Sequence, residues 1–172
     1  PQQQPAPFVL GCSGSSHPAS HRNPVQWTGD NFAEQLMAAV HTQVESGYER
    51  FKPYVHPDCG GHHDADPPEV YLRWIQFCSL GAIFRVHSDP YNDRRPWKYD
   101  DSVQATFKKF VKMRAALAPA LASASVQASI DATPLVARLD YEWPEPEHTT
   151  AAFGGSTRLD QYMLAKDTLV AP

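Results

Sequence analysis

The stretch that most constrains this chain runs from Trp74 to Phe84, an uncharged and mostly apolar segment that stops abruptly at Arg85-Val86-His87-Ser88. Such a run must be buried, and its polar end then delivers an arginine, a histidine and a serine to a cavity, as strands do in barrel enzymes. Pro68 to Arg73 reads as the start of a helix leading into it, and the run with its Arg-Val-His-Ser terminus reads as a strand. Asp93-Arg94-Arg95-Pro96-Trp97 follows as a loop, with Trp97 a packing residue.

The flanking segments keep an α/β rhythm. Residues 1–7 form an extended Pro/Gln segment, and Phe8-Val9-Leu10, closed by Gly11, suits a buried strand. A long loop rich in Ser, Gly, Pro and His covers 12–24. Val25 to Thr28 is a second strand, ending at Gly29-Asp30-Asn31. The apolar spacing of Leu36, Met37, Val40 and Val44 predicts a helix from near Phe32 with Gly47 as its stop. Phe51 to Val55 is a third strand. Asp101 is expected to cap a helix that carries a core stripe of Phe107, Phe110 and Val111 and continues to, or breaks near, Pro119. Leu135 to Tyr141 and Tyr162 to Val170 read as two further strands, separated by the polar loop 144–157.

Polar residues thus fall after successive strands: Asp30 with Asn31, then Asp58, then Arg85 with His87. A (β/α)8 barrel arms its site this way, and any parallel α/β sheet places residues similarly.

Charge narrows the function classes. The net charge is −4, and no Lys/Arg run exceeds the pairs Arg94-Arg95 and Lys108-Lys109, so there is no electrostatic footprint for nucleic acid. The stretches free of charged residues, 1–21 and 115–130, are too rich in small or polar residues to predict a membrane span, and Pro1 to Pro5 carries no signal-peptide pattern. Cys12, Cys59 and Cys78 leave at least one thiol unpaired and make no disulfide scaffold, which leaves the compartment open. His56, Cys59, His62, His63, Asp64 and Asp66 form the densest group of candidate metal ligands, with a spacing compatible with zinc.

Several motifs together resemble glycoside hydrolase family 31, the α-glucosidases and α-xylosidases. Trp27-Thr28-Gly29-Asp30-Asn31 resembles the family's Trp-x-Gly-Asp-Asn, Asp58-Cys59-Gly60-Gly61 its Asp-x-Gly-Gly, and Phe84-Arg85-Val86-His87-Ser88 its Phe-Arg-Asn-His-Ser. Tyr71-x-Arg73-Trp74-x-Gln76-Phe77, Arg94-Arg95-Pro96-Trp97 and Asp160-Gln161-Tyr162-Met163-Leu164 with Leu169-Val170-Ala171-Pro172 follow in the same order as in the family.

The resemblance implies the second half of a (β/α)8 TIM-type barrel over residues 1–172, incomplete as an isolated chain, from a retaining enzyme acting on α-linked glucosides or xylosides. Asp30 takes the place of the acid/base, and Trp27, His87, Arg85 and Asp58 those of substrate-binding residues; no metal and no other cofactor is implied. On the residues alone Asp30 also fits a helix N-cap, His87 a buried histidine satisfied by backbone, and Arg85 an ion-pair partner of Asp58.

Three departures stand beside the matches. The family's nucleophile sits in a Trp-x-Asp context that does not occur here, so the chain is expected to begin after it. Its loop arginine is replaced by Cys12 or Gly14, according to register. An aromatic residue common after Asp-x-Gly-Gly is replaced by His62. A retaining glycosidase needs two carboxyl groups roughly 5 Å apart, and the acid/base needs a closed, water-excluding pocket, here walled by Trp27. Half a barrel also leaves open strand edges. The expected partner is therefore the upstream half-barrel or other protein subunits, with α-linked carbohydrate as substrate. The alternative is a catalytically inactive half-barrel serving as a structural subunit of a larger complex.

Overall fold

A computed structural model describes residues 10–12, 25–49, 52–62, 67–143 and 160–172. The expected segment at 1–7, most of the loop at 12–24, the polar loop at 144–157, and His63, Asp64 and Asp66 lie outside the described residues.

Three strands, β1 (Leu10–Cys12), β2 (Val25–Trp27) and β3 (Tyr54–His56), form a parallel sheet in the order β1-β2-β3. Gln26 pairs with Gly11 on one side and Val55 on the other. The crossover from β2 to β3 is a 3-10 turn at Ala33–Gln35 running into helix α1 (Leu36–Glu49). Gly47 does not stop this helix, because Ala39, Val40 and Val44 bury its face and packing outweighs the local cost of one glycine.

The central apolar run is helical, contrary to the strand expected there. Helix α2 (Pro68–Ser79) opens on a proline at its first position and buries Tyr71, Trp74, Ile75 and Cys78, a spacing that puts all four on one face. The strand shrinks to a single parallel bridge between Val86 and Cys59, which places Arg85 and His87 beside the end of β3. Trp74 Nε1 donates to the Ala33 carbonyl at 2.8 Å, fixing α2 against the start of α1.

Helix α3 (Asp101–Asp131) is capped by Asp100 rather than Asp101; the Asp100 carboxylate accepts from the amides of Ser102 and Val103 at 2.9 and 3.0 Å. It runs unbroken past Pro119. Phe107 and Phe110 pack on the Tyr71, Ile75 and Val103 cluster, whereas Val111 faces outward. Arg114 of α3 reaches back to the end of α2, donating to the carbonyls of Ser79, its last residue, and of Gly81 and Ala82 just beyond it.

The C-terminal part departs from a parallel barrel. β4 (Val136–Ala137), β5 (Tyr162–Leu164) and β6 (Thr168–Val170) form an antiparallel sheet, and a short helix, α4 (Leu139–Glu142), replaces the rest of the strand expected at 135–141. The single strand expected at 162–170 is a hairpin, turned at Ala165 and Lys166, which both take positive φ. Its side chains complete the core of α1 and α2, and Tyr162 donates to the Leu80 carbonyl at 3.0 Å. The parallel sheet does not close among the described residues. Trp97, expected to pack, is exposed, with the Arg95 guanidinium 5.6 Å from its ring. No described helix is long and apolar enough to cross a membrane.

Candidate active site

The site is built at the C-terminal ends of β2 and β3, where two left-handed turns aim the chain across the sheet edge. Gly29 has φ 92° just before Asp30, and Asp58, Gly60 and Gly61 have φ of 60°, 95° and 75°. Glycine is required at the last of these for space as well as conformation: a Cβ on Gly61 would fall 2.9 Å from the Ala33 amide nitrogen. This close approach lets the His62 amide donate to the Asn31 carbonyl at 2.6 Å, joining the two loops.

Asp58 is the hub. Its side chain is fully buried, yet it takes the left-handed conformation that non-glycine residues adopt only at a cost. Its Oδ1 accepts from Trp27 Nε1 at 3.1 Å and lies 3.2 Å from His87 Nδ1 and 3.8 Å from Arg85 Nη2, while Oδ2 accepts from the Asn31 amide at 3.1 Å. Burial pushes its carboxyl above the ordinary range, opposed by the Asn31 amide, His87 and Trp27. Expected in a substrate-binding role, Asp58 has no exposed surface to offer; it orients the groups that do.

His56 lies behind this cluster, wholly buried. Burial and the neighbouring Arg85 and His87 pull its pKa from 6.5 down to about 3, so it is neutral, and its Nε2 accepts from Arg85 Nε at 2.9 Å. That bond puts the ring proton on Nδ1, which has no partner among the described residues. Arg85 is half-exposed and sets its second nitrogen 2.9 Å from His87 Nδ1.

Asp30 stands at the open side, its side chain 46% exposed. It does not cap a helix: the N-cap of the following 3-10 turn is Phe32. His62 Nδ1 approaches the Asp30 carboxylate to 3.5 Å and His87 Nε2 to 4.0 Å. The two imidazoles are stacked, with Nδ1 of His62 and Nε2 of His87 2.8 Å apart. Burial holds the His87 pKa below its usual value despite the opposing pull of Asp58. Trp27 tilts against His87 with ring centroids 5.9 Å apart. The enclosing wall expected around Asp30 is not formed by the described residues. A cavity of about 480 Å³ between Val86, Ser88 and the 89–96 loop is lined by none of these side chains.

All the sequence-derived candidates, Trp27, Asp30, Asp58, Arg85 and His87, thus meet in one cluster. The zinc grouping does not assemble as expected: Cys59 is joined to Cys78 in a disulfide and His56 is committed to Arg85. Its His62 instead joins Asp30 and His87, and the three offer ligand atoms within 4.8 Å of one another. His62 stood out in the sequence as the replacement of an aromatic residue and as one member of the zinc grouping; nothing local signals that it meets a histidine 25 positions away.

A family model described as the glycosyl hydrolases family 31 TIM-barrel domain matches residues 2–124. The chain is 30% identical over 162 residues to an alpha-xylosidase of Emericella nidulans, covering 92% of the chain and 20% of that protein. It is 26% identical over 169 residues to alpha-glucosidase 2 of Bacillus thermoamyloliquefaciens, covering 96% of the chain and 20% of that protein. The chain therefore spans about a fifth of the length of these curated relatives. Among solved structures, the glucosidase II alpha subunit superposes with a TM-score of 0.72 at 24% identity over 86% of this chain and 16% of that one. A dextranase of Flavobacterium johnsoniae superposes with 0.75 at 22%, over 86% and 19%. At such identity the superpositions establish a barrel-type α/β fold and leave the chemistry to the side chains.

Proposed function

Because the chain belongs to glycoside hydrolase family 31, we propose that its part up to α3 belongs to the second half of a catalytic (β/α)8 barrel, followed by the antiparallel sheet β4-β5-β6, in a retaining enzyme that hydrolyses α-linked glucosides or xylosides. The observation that carries the reading is the position of Asp30: a solvent-facing carboxyl at the C-terminal edge of a parallel sheet, flanked by His87 and His62 and underlain by buried Asp58.

In this mechanism the Asp30 carboxyl gives its proton to the glycosidic oxygen as the bond to the anomeric carbon breaks. A second carboxylate, from a segment outside these 172 residues, attacks that carbon to form the glycosyl-enzyme. Asp30, now ionised, takes a proton from the water that releases the sugar. His87, Arg85 and Trp27 hold the sugar, and Asp58 fixes all three through the contacts of its Oδ1. The same missing half-barrel supplies the wall that would exclude water around Asp30.

A rival reading, an inactive half-barrel kept as a structural subunit, draws on His62, which occupies the position of a sugar-contacting aromatic and crowds Asp30 to 3.5 Å. Assay of α-glucoside and α-xyloside hydrolysis by the full-length protein, with the anomeric configuration of the first product read by NMR, separates the two. Turnover with retention supports the glycosidase; no turnover of either substrate supports the rival.

A further inference from the structure

We infer that Asp30, His62 and His87 form a binding site for a divalent transition-metal ion of the zinc type. The three facing atoms, Asp30 Oδ1, His62 Nδ1 and His87 Nε2, are separated by 2.8, 3.5 and 4.0 Å. Ligands about 2.0–2.1 Å from a tetrahedral zinc stand about 3.3–3.4 Å apart, so the observed edges straddle the required value and small rotations of the rings and carboxylate close the site. Two imidazoles and one carboxylate suit zinc-type ions, and the half-exposed Asp30 side leaves a fourth position for water.

The surroundings hold one ligand as metal sites do. His87 turns Nε2 toward the cluster and Nδ1 toward the buried Asp58 carboxylate at 3.2 Å, the carboxylate–histidine–metal arrangement that sets tautomer and ring orientation. Asp58 is itself fixed by Trp27 and the Asn31 amide. With a metal on Nε2 the ring proton sits on Nδ1, so Arg85 Nη2, now 2.9 Å from that nitrogen, swings to the same carboxylate 3.8 Å away. The ion replaces the proton shared between the two histidines. His62 is backed by its own backbone, whose amide is tied to Asn31 and whose carbonyl accepts from Arg94 at 3.4 Å.

An ion on Asp30 Oδ1 would block its role as a proton donor, so the functional consequence, metal inhibition, rests on the reading above; the binding itself does not. The test is therefore made without substrate. Zinc ion alone is titrated into the metal-free full chain by calorimetry, and cobalt(II) is added separately to read coordination from its visible absorption. The expected result is one ion per chain, the intense bands of four-coordinate cobalt, and a loss of affinity greater than about 100-fold in both His62→Phe and Asp30→Ala, since even outer-shell changes cost about 10–100-fold. A circular dichroism melt without metal confirms that each variant folds, and His62→Gln replaces His62→Phe if the ring does not fit. No binding by the wild-type chain, or binding that survives both substitutions, overturns the inference.

Discussion

Trp27 Nε1 donates to Asp58 Oδ1 at 3.1 Å, tying the end of β2 to the loop after β3 across thirty-one positions of sequence. Three more groups of the site are referred to that carboxylate: the Asn31 amide, His87 and Arg85 meet it from further directions. A buried charge with this many partners is costly to disturb, because removing it strands the donors around it.

Asp58→Ala is therefore expected to destabilise the fold by about 3 kcal/mol, the lower end of what loss of one member of a buried charged network costs. Urea unfolding measures it. Trp27→Phe, which removes one donor and keeps the ring, should cost only about 1 kcal/mol. Equal losses in the two variants would show that Asp58 is not the hub.

Acid sensitivity follows from His56. Its pKa in the folded chain, about 3, lies below its ordinary 6.5, so between those values the unfolded chain binds a proton that the folded chain refuses. Stability is complete above the ordinary value and is lost as pH falls through the window, by about 3 kcal/mol between about pH 7 and 4. Asp58, shifted upward by burial, acts with the opposite sign and offsets part of the loss. His56→Gln should flatten the fall, as read from thermal melts at a series of pH values. A wild-type slope unchanged by the substitution would place the sensitivity elsewhere.

The Cys59–Cys78 disulfide fastens the residue next to Asp58 to α2 across 19 positions. Reduction, or Cys78→Ala, is expected to cost about 3 kcal/mol, the chain-entropy value for a loop of this size. Faster amide exchange at 58–62 in the reduced protein, with little change in α3, would locate the effect at the site. Uniform loosening of both regions would show that the bond acts only globally.

How much of this was legible in the sequence depended on whether the signal was local. Gly60 and Gly61 announce a turn because only glycine fits the backbone there, and Val25 to Trp27 shows its strand by composition and the turn that follows. Trp74 to Ser79 misled because an uncharged run buried in either state shows no alternation, and the spacing of Tyr71, Trp74, Ile75 and Cys78 decides only when the segment is read from Pro68. The Cys59–Cys78 bond and the meeting of His62 with His87 are contacts between distant segments, set by how α2 crosses the sheet edge, and no local pattern carries them. The candidate residues were found together because the motifs that named them sit at strand ends, which a parallel sheet aligns.

The most direct test of Asp30 as the acid compares kcat/KM, which reports the bond-breaking step, for wild-type and Asp30→Asn full-length protein on two α-glucosides, one with an alkyl or sugar leaving group and one with an activated phenol. A loss of about 10²–10⁴-fold is expected on the poor leaving group, the usual contribution of a general acid, and little loss on the activated one, which departs without a proton. Unchanged turnover of the poor leaving group, or an equal loss on both substrates, would contradict the assignment of Asp30 as the acid.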